Sequence, residues 1–124
     1  MSTPNHFSEI AASLLEFFEK EFLCDTVLIT RSKQLKAHSI LLAAVSPVFR
    51  TAFEENSCPG LQYIDLSSFE SETVEIALNF IYTGKLLLPV QYAHVGKLPQ
   101  LFATLKDLGL EAQRLHGCEI RFLR

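Results

Sequence analysis

The chain has 124 residues, 48% of them hydrophobic, which fits one compact domain with a real core and excludes a disordered segment. With 11 basic and 14 acidic residues the net charge is −3, so the basic footprint of a nucleic-acid binder is missing and direct nucleic-acid binding by this segment is not expected. The longest uncharged run, Ala37 to Phe49, is far shorter than the roughly 20 residues that cross a bilayer, so no membrane contact is expected.

The opening stretch MSTPNHFSEI lacks the basic and apolar regions of a signal peptide. Pro4 fits a first helical position, with Ser2 or Thr3 as the cap. Phe7, Ile10, Ala11, Leu14, Leu15, Phe17, Phe18 and Phe22 follow at helical spacing. At about 100° per residue they cover an arc of roughly 160°, wider than the stripe of about 100° that a surface helix needs. Either this helix is covered from two sides, or it is sunk deep in the core.

TVLIT, residues 26–30, is β-branched and apolar and reads as a strand. Arg31-Ser32-Lys33 makes a turn, and Gln34 to Ala37 returns as the second arm of a hairpin. SILLAAV, residues 39–45, is an almost wholly apolar helix, for which burial on most sides is expected. Ser46-Pro47 caps and opens another helix, carrying Val48, Phe49, Ala52 and Phe53, and ENSCPG is a loop. LQYIDL is a strand. Ser67 and Glu70 fit a capping box for a helix with Val74, Ala77, Leu78 and Ile81 on one stripe, ended by Gly84. KLLLP is a strand, and Pro99 can open a helix with Leu101, Phe102, Leu105 and Leu108 inward, ended by Gly109. A last short helix runs near Glu111 to Leu115. Strands and helices mix without regular alternation, so the class is α+β.

Chemistry is sparse. The five glycines are scattered, so no phosphate-binding loop forms. There is no close-spaced Cys pair, and His116 with Cys118 lacks a second pair of ligands, which argues against zinc; no cofactor is expected. Cys24, Cys58 and Cys118 are widely spaced and read as reduced thiols of a nuclear or cytosolic protein. His38-Ser39 has no strand–turn–helix elbow around it, so a hydrolase is disfavoured. His38 is expected to be structural, tying backbone groups where a strand passes into a helix. Asp25, beside apolar Cys24 and Val27, needs donors if it is partly buried.

LCDTVLI, LKAHSILLAAVSPVFRTAF and FIYTGKLLL together resemble the BTB/POZ domain family, in its order and at its distances, over about Asn5 to Leu115. The pattern is nearest to the BTB domains of zinc-finger transcription regulators. The resemblance implies a helical cluster flanked by a short β-sheet, with a domain over 5–118 and a tail or linker start over 119–124. It implies an interaction module rather than an enzyme, mostly homodimeric through the first helix and the helix after Ala37-His38. The implied interface residues are Phe7, Ile10, Ala11, Leu14, Leu15, Phe18, Ser39, Leu42 and Ala43. Asp25 would line a pocket at that interface, where a basic residue often follows the histidine. Here Ser39 stands in that place, which leaves the charged pocket incomplete.

The resemblance further implies a homodimer as first partner, with related BTB proteins or co-repressors as others, and a nuclear transcription regulator whose zinc fingers lie elsewhere. The alternative is a cytoplasmic substrate adaptor of a cullin ubiquitin ligase. Such adaptors usually carry an apolar-x-Glu motif where this chain reads EENSCPG, and a helical extension past the domain, whereas the sequence stops at Arg124. Channel-type tetramerisation domains depart further from the pattern. With only MSTPN before the first helix, the swapped first strand of some relatives is expected to be absent here, and the 89–99 segment is expected as an enlarged loop.

Overall fold

The computed structural model describes residues 5–56, 60–93, 97–115 and 117–123. Ser2, Thr3, Pro4, Cys58, His116 and Arg124 lie outside the described residues, as do parts of the 55–60 and 89–99 segments.

Helix α1, His6–Glu19, is capped by Asn5, whose Oδ1 accepts the Phe7 amide at 2.8 Å. This corrects the expected Ser2 or Thr3 cap: a short amide side chain directly before the first turn reaches the amide two residues on. The other end closes with two nested bonds. Glu21 N–H donates to the Phe18 carbonyl and Phe22 N–H to the Phe17 carbonyl, at 3.2 and 2.7 Å, and the Phe17 and Phe22 rings meet edge-on. Glu21 stands at φ 55° and Leu23 at φ 60°, a region that ordinarily suits glycine.

Strands β1 (Thr26–Thr30) and β2 (Gln34–Ala37) form the expected hairpin, with Leu28 opposite Leu35. β3 (Gln62–Leu66) joins the other edge of β1 in parallel, with Leu28 opposite Ile64, giving the order β2-β1-β3. A parallel return needs a long crossover. Two helices lie within it, α2 (Ser39–Val45) and α3 (Pro47–Glu55). Ser46 Oγ accepts the Phe49 amide at 3.2 Å as the α3 cap and donates to the Leu108 carbonyl at 2.7 Å. At Gly109, φ is +87° and a Cβ would fall 2.0 Å from Ser46 Oγ, so the fold needs glycine there twice over.

Burial is distributed differently from the apolar composition. Of α2 only Leu42 is buried, and Ile40 is 75% exposed, against the expected burial on most sides. The central element is instead α4, Ser71–Thr83, which buries Val74, Ile76, Ala77, Leu78, Phe80 and Tyr82. Its expected capping box does not form. The Ser67 amide is taken by Asp65 Oδ1 at 2.9 Å, Glu70 reaches Arg31 at 3.4 Å, and the helix starts at Ser71, whose hydroxyl meets that of Thr30 at 2.6 Å.

After Gly84, at φ 77°, β4 (Lys85–Pro89) runs into a 3-10 turn, Val90–Ala93, so the expected loop over 89–99 is partly ordered helix. α5 spans Lys97–Asp107 and α6 Ala112–Leu115. Pro99 sits in the first turn of α5, where an N–H would have no helical partner anyway. Glu119–Leu123, expected as a tail, forms β5, parallel to β4 with Leu86 opposite Ile120. Helices clustered beside two short sheets make an α+β fold, as the pattern of elements implied.

Candidate interaction surface

α1 has no buried side chain, yet its apolar residues run along most of its length. Leu15 and Phe18 pack partly against the core, and Phe18 stacks on Tyr82 at 4.1 Å between centroids. Phe7, Ile10 and Ala11 point outward, with Phe7 74% exposed. Of the two readings of this helix, burial deep in the core is overturned. One edge touches the core and the remainder is open.

His38 holds the end of α1 in place. Its Nε2 faces the Phe22 carbonyl at 2.8 Å, and a carbonyl only accepts, so Nε2 carries the proton. In the neutral ring Nδ1 is then the acceptor for the Tyr82 hydroxyl at 2.5 Å, while that same oxygen accepts the His38 amide at 3.0 Å. Burial pushes the Tyr82 phenol up to about 12, with the His38 amide bond opposing it. The hydroxyl stays protonated and the network is complete. Tyr82 came from FIYTG without a predicted role; it stands 44 positions after His38, so no local pattern links them.

Asp25 and Ser39 meet as paired residues. Oδ1 accepts the Ser39 amide at 2.7 Å and Oδ2 the Ser39 hydroxyl at 2.5 Å, with Thr26 Oγ1 adding a third donor at 3.2 Å. Burial raises the Asp25 pKa, but these donations outweigh it, so the carboxyl titrates below its ordinary value. The bonds bring the start of α2 against the end of the α1–β1 turn. Three exposed apolar side chains lie within a few residues of that junction: Phe22, Leu23 and Ile40.

The expected interface set needs one correction. Leu42 is 0% exposed and belongs to the chain's own core, so it offers no surface to a partner. Ile40, two positions earlier, is turned about 200° around the helix and faces out. That rotation was the available signal, since Leu42 and Ile40 cannot share a face. Ala43, Leu14 and Ser39 are half-buried.

Among the described residues, no group of three or more His, Cys, Asp or Glu could hold a metal ion, and no helix is long and apolar enough to cross a membrane. Residues 14–118 match the model of the BTB/POZ domain. The chain belongs to the BTB/POZ domain family. BTB/POZ domains are protein–protein interaction modules. This BTB domain is 34% identical over 85 residues to Kelch-like protein 8 of Mus musculus, covering 68% of the chain. It is 32% identical over 106 residues, 84% of the chain, to the sex determination protein fruitless of Drosophila melanogaster. The chain spans only 14% and 10% of the length of these two relatives. Among solved structures, the BTB domain of zebrafish PATZ1 matches with a TM-score of 0.70 at 21% identity, covering 89% of this chain and 88% of that one. The BTB domain of human gigaxonin matches with a TM-score of 0.69 at 24% identity, covering 93% and 89%.

Proposed function

We propose that this BTB domain joins two copies of its own chain, as the dimerising module of a nuclear transcription regulator whose DNA-binding part lies elsewhere. The observation that carries the pairing is α1: an apolar helix without one buried side chain, continued by exposed Phe22, Leu23 and Ile40. An apolar surface of this kind marks an interface, and a two-fold axis lets the same helix of each copy cover the other. Phe7, Ile10, Ala11, Leu14 and Ile40 are the proposed contacts. Asp25 and Ser39 sit at the rim, and with serine in place of a basic residue the pocket holds an acid satisfied from within the chain. Co-repressor recruitment that reads a charged pair there is therefore not proposed.

Light scattering coupled to size exclusion tests the pairing. The expected mass at micromolar concentration is twice the 14.0 kDa of one chain, and the mass of a single chain across that range overturns the proposal.

The similarity to a kelch-like protein favours a second reading, adaptor of a cullin ubiquitin ligase. EENSCPG lacks the apolar-x-Glu contact, although residues 57–59 lie outside the described residues. Titration against a cullin N-terminal domain separates the readings. Weak or no binding is expected; a dissociation constant below about 1 µM, about −8 kcal/mol, would reverse their order.

A further inference from the structure

At the opposite end of α4 from the Phe18–Tyr82 contact, roughly 16 Å along the helix, a polar cleft of about 320 Å³ opens between the β1–β2 turn, the start of α4, the 3-10 turn and α5. Arg31, Ser68, Glu70, Thr73, Tyr92 and Lys97 are among its walls, so the cleft holds two cations and one carboxylate. Ser68 is exposed on the turn between β3 and α4, and its hydroxyl makes no hydrogen bond among the described residues. Arg31 is already drawn to this turn, donating to the Ser68 carbonyl at 3.1 Å. Its other contact, Glu70 at 3.4 Å, is long and exposed on both sides, and such a pair contributes little.

We propose that Ser68 is a phosphorylation site with its receptor already built, the phosphate being held by Arg31 and Lys97 across this cleft. The neighbouring Ser67 is unsuited, because its amide and hydroxyl serve the Asp65 carboxylate, which would repel a phosphate. Asp65, Glu70 and Glu72 surround Ser68 in sequence, so the modifying enzyme is an ATP-dependent kinase that selects acidic surroundings. In the step the Ser68 oxygen attacks the γ-phosphorus of ATP and the bond to the β-phosphate oxygen breaks. ADP leaves with the bonding pair, and the hydroxyl proton passes to the kinase's base. The dianion then competes with Glu70 for Arg31 and makes stronger, charge-assisted bonds to it. It thereby ties the β1–β2 turn, the start of α4 and the start of α5 into one unit. This regulation does not depend on the pairing proposed for α1.

The test is to treat the folded domain with an acid-directed kinase and ATP, map the phosphate by mass spectrometry, and titrate it by phosphorus NMR. One phosphate per chain is expected at Ser68, lost in Ser68→Ala. Its second ionisation is expected to be about tenfold stronger in the folded protein than in urea, and to weaken in Arg31→Gln and in Lys97→Gln. Modification at Ser67 instead, none on the folded domain, or a second ionisation equal in folded, unfolded and variant proteins would each overturn the proposal.

Discussion

Asp25 and Ser39 are joined twice, the carboxylate taking both the hydroxyl and the amide of the serine at 2.5 and 2.7 Å. These donors hold the folded-state pKa of Asp25 below its value in the unfolded chain. The stabilisation is therefore complete above the unfolded value, about 3.9, and fades as pH falls through the lower folded value. Ser39→Ala keeps the amide and loses the hydroxyl. We expect a cost of about 1 kcal/mol at pH 7, shrinking by pH 3. Urea midpoints at the two pH values check this, and equal midpoints at pH 7 would show that the hydroxyl contributes nothing.

Tyr82→Phe leaves the His38 amide and Nδ1 without their shared partner in a buried site. An abandoned buried polar group is costly, so a loss of about 2 kcal/mol is expected in denaturant melts. A loss below about 0.5 kcal/mol would mean that other donors replace the hydroxyl.

Glu21 closes α1 at φ 55°, where glycine has no steric conflict. Its ion pair with Lys36, at 3.7 Å between exposed side chains, is expendable. Glu21→Gly should stabilise the domain by about 1 kcal/mol, raising Tm by roughly 3–5 °C. An unchanged or lower Tm in calorimetry would show that the turn is not strained.

Gly109→Ala meets two obstacles, a positive φ and Ser46 Oγ. A cost of about 2 kcal/mol or more is expected. Combining it with Ser46→Ala removes the closest clash, at 2.0 Å, and leaves the 3.1 Å approaches to the Ser46 and Val48 Cβ atoms together with the backbone part. A double-mutant cycle should thus show coupling of the two sites; strict additivity would mean that they do not touch.

Ile40→Glu and Leu42→Glu should separate surface from core. The first lies outside, so the circular-dichroism spectrum should be retained while the scattering mass falls to one chain. The second puts a carboxylate at a fully buried position and should abolish folding. Retention of the doubled mass in Ile40→Glu would remove α2 from the interface.

Boundaries of several elements were legible because they rest on local chemistry. TVLIT, KLLLP and the Ser46-Pro47 start all lie where composition and caps put them. The start of α4 was not, because Asp65 and Arg31 claim Ser67 and Glu70 before they can cap a helix. Nor could composition say which apolar helix is central. SILLAAV is more uniformly apolar than SETVEIALNFIYT, but β4, α1, α2 and α5 pack around the latter, and coverage is a tertiary property. At the candidate surface, Asp25, Ser39 and His38 announced themselves by motif. Their links to one another and to Tyr82 arise only when distant segments meet.

A helix without one buried side chain is held by few contacts, so the amides of α1 are set to exchange with solvent by local opening, well before the global unfolding that releases α4. Ordering that helix is then part of the work of association. Affinity for any partner that covers it is tuned by whatever stiffens α1 in advance, its Asn5 cap and the Glu16–Lys20 pair included, with no change in the contacts themselves.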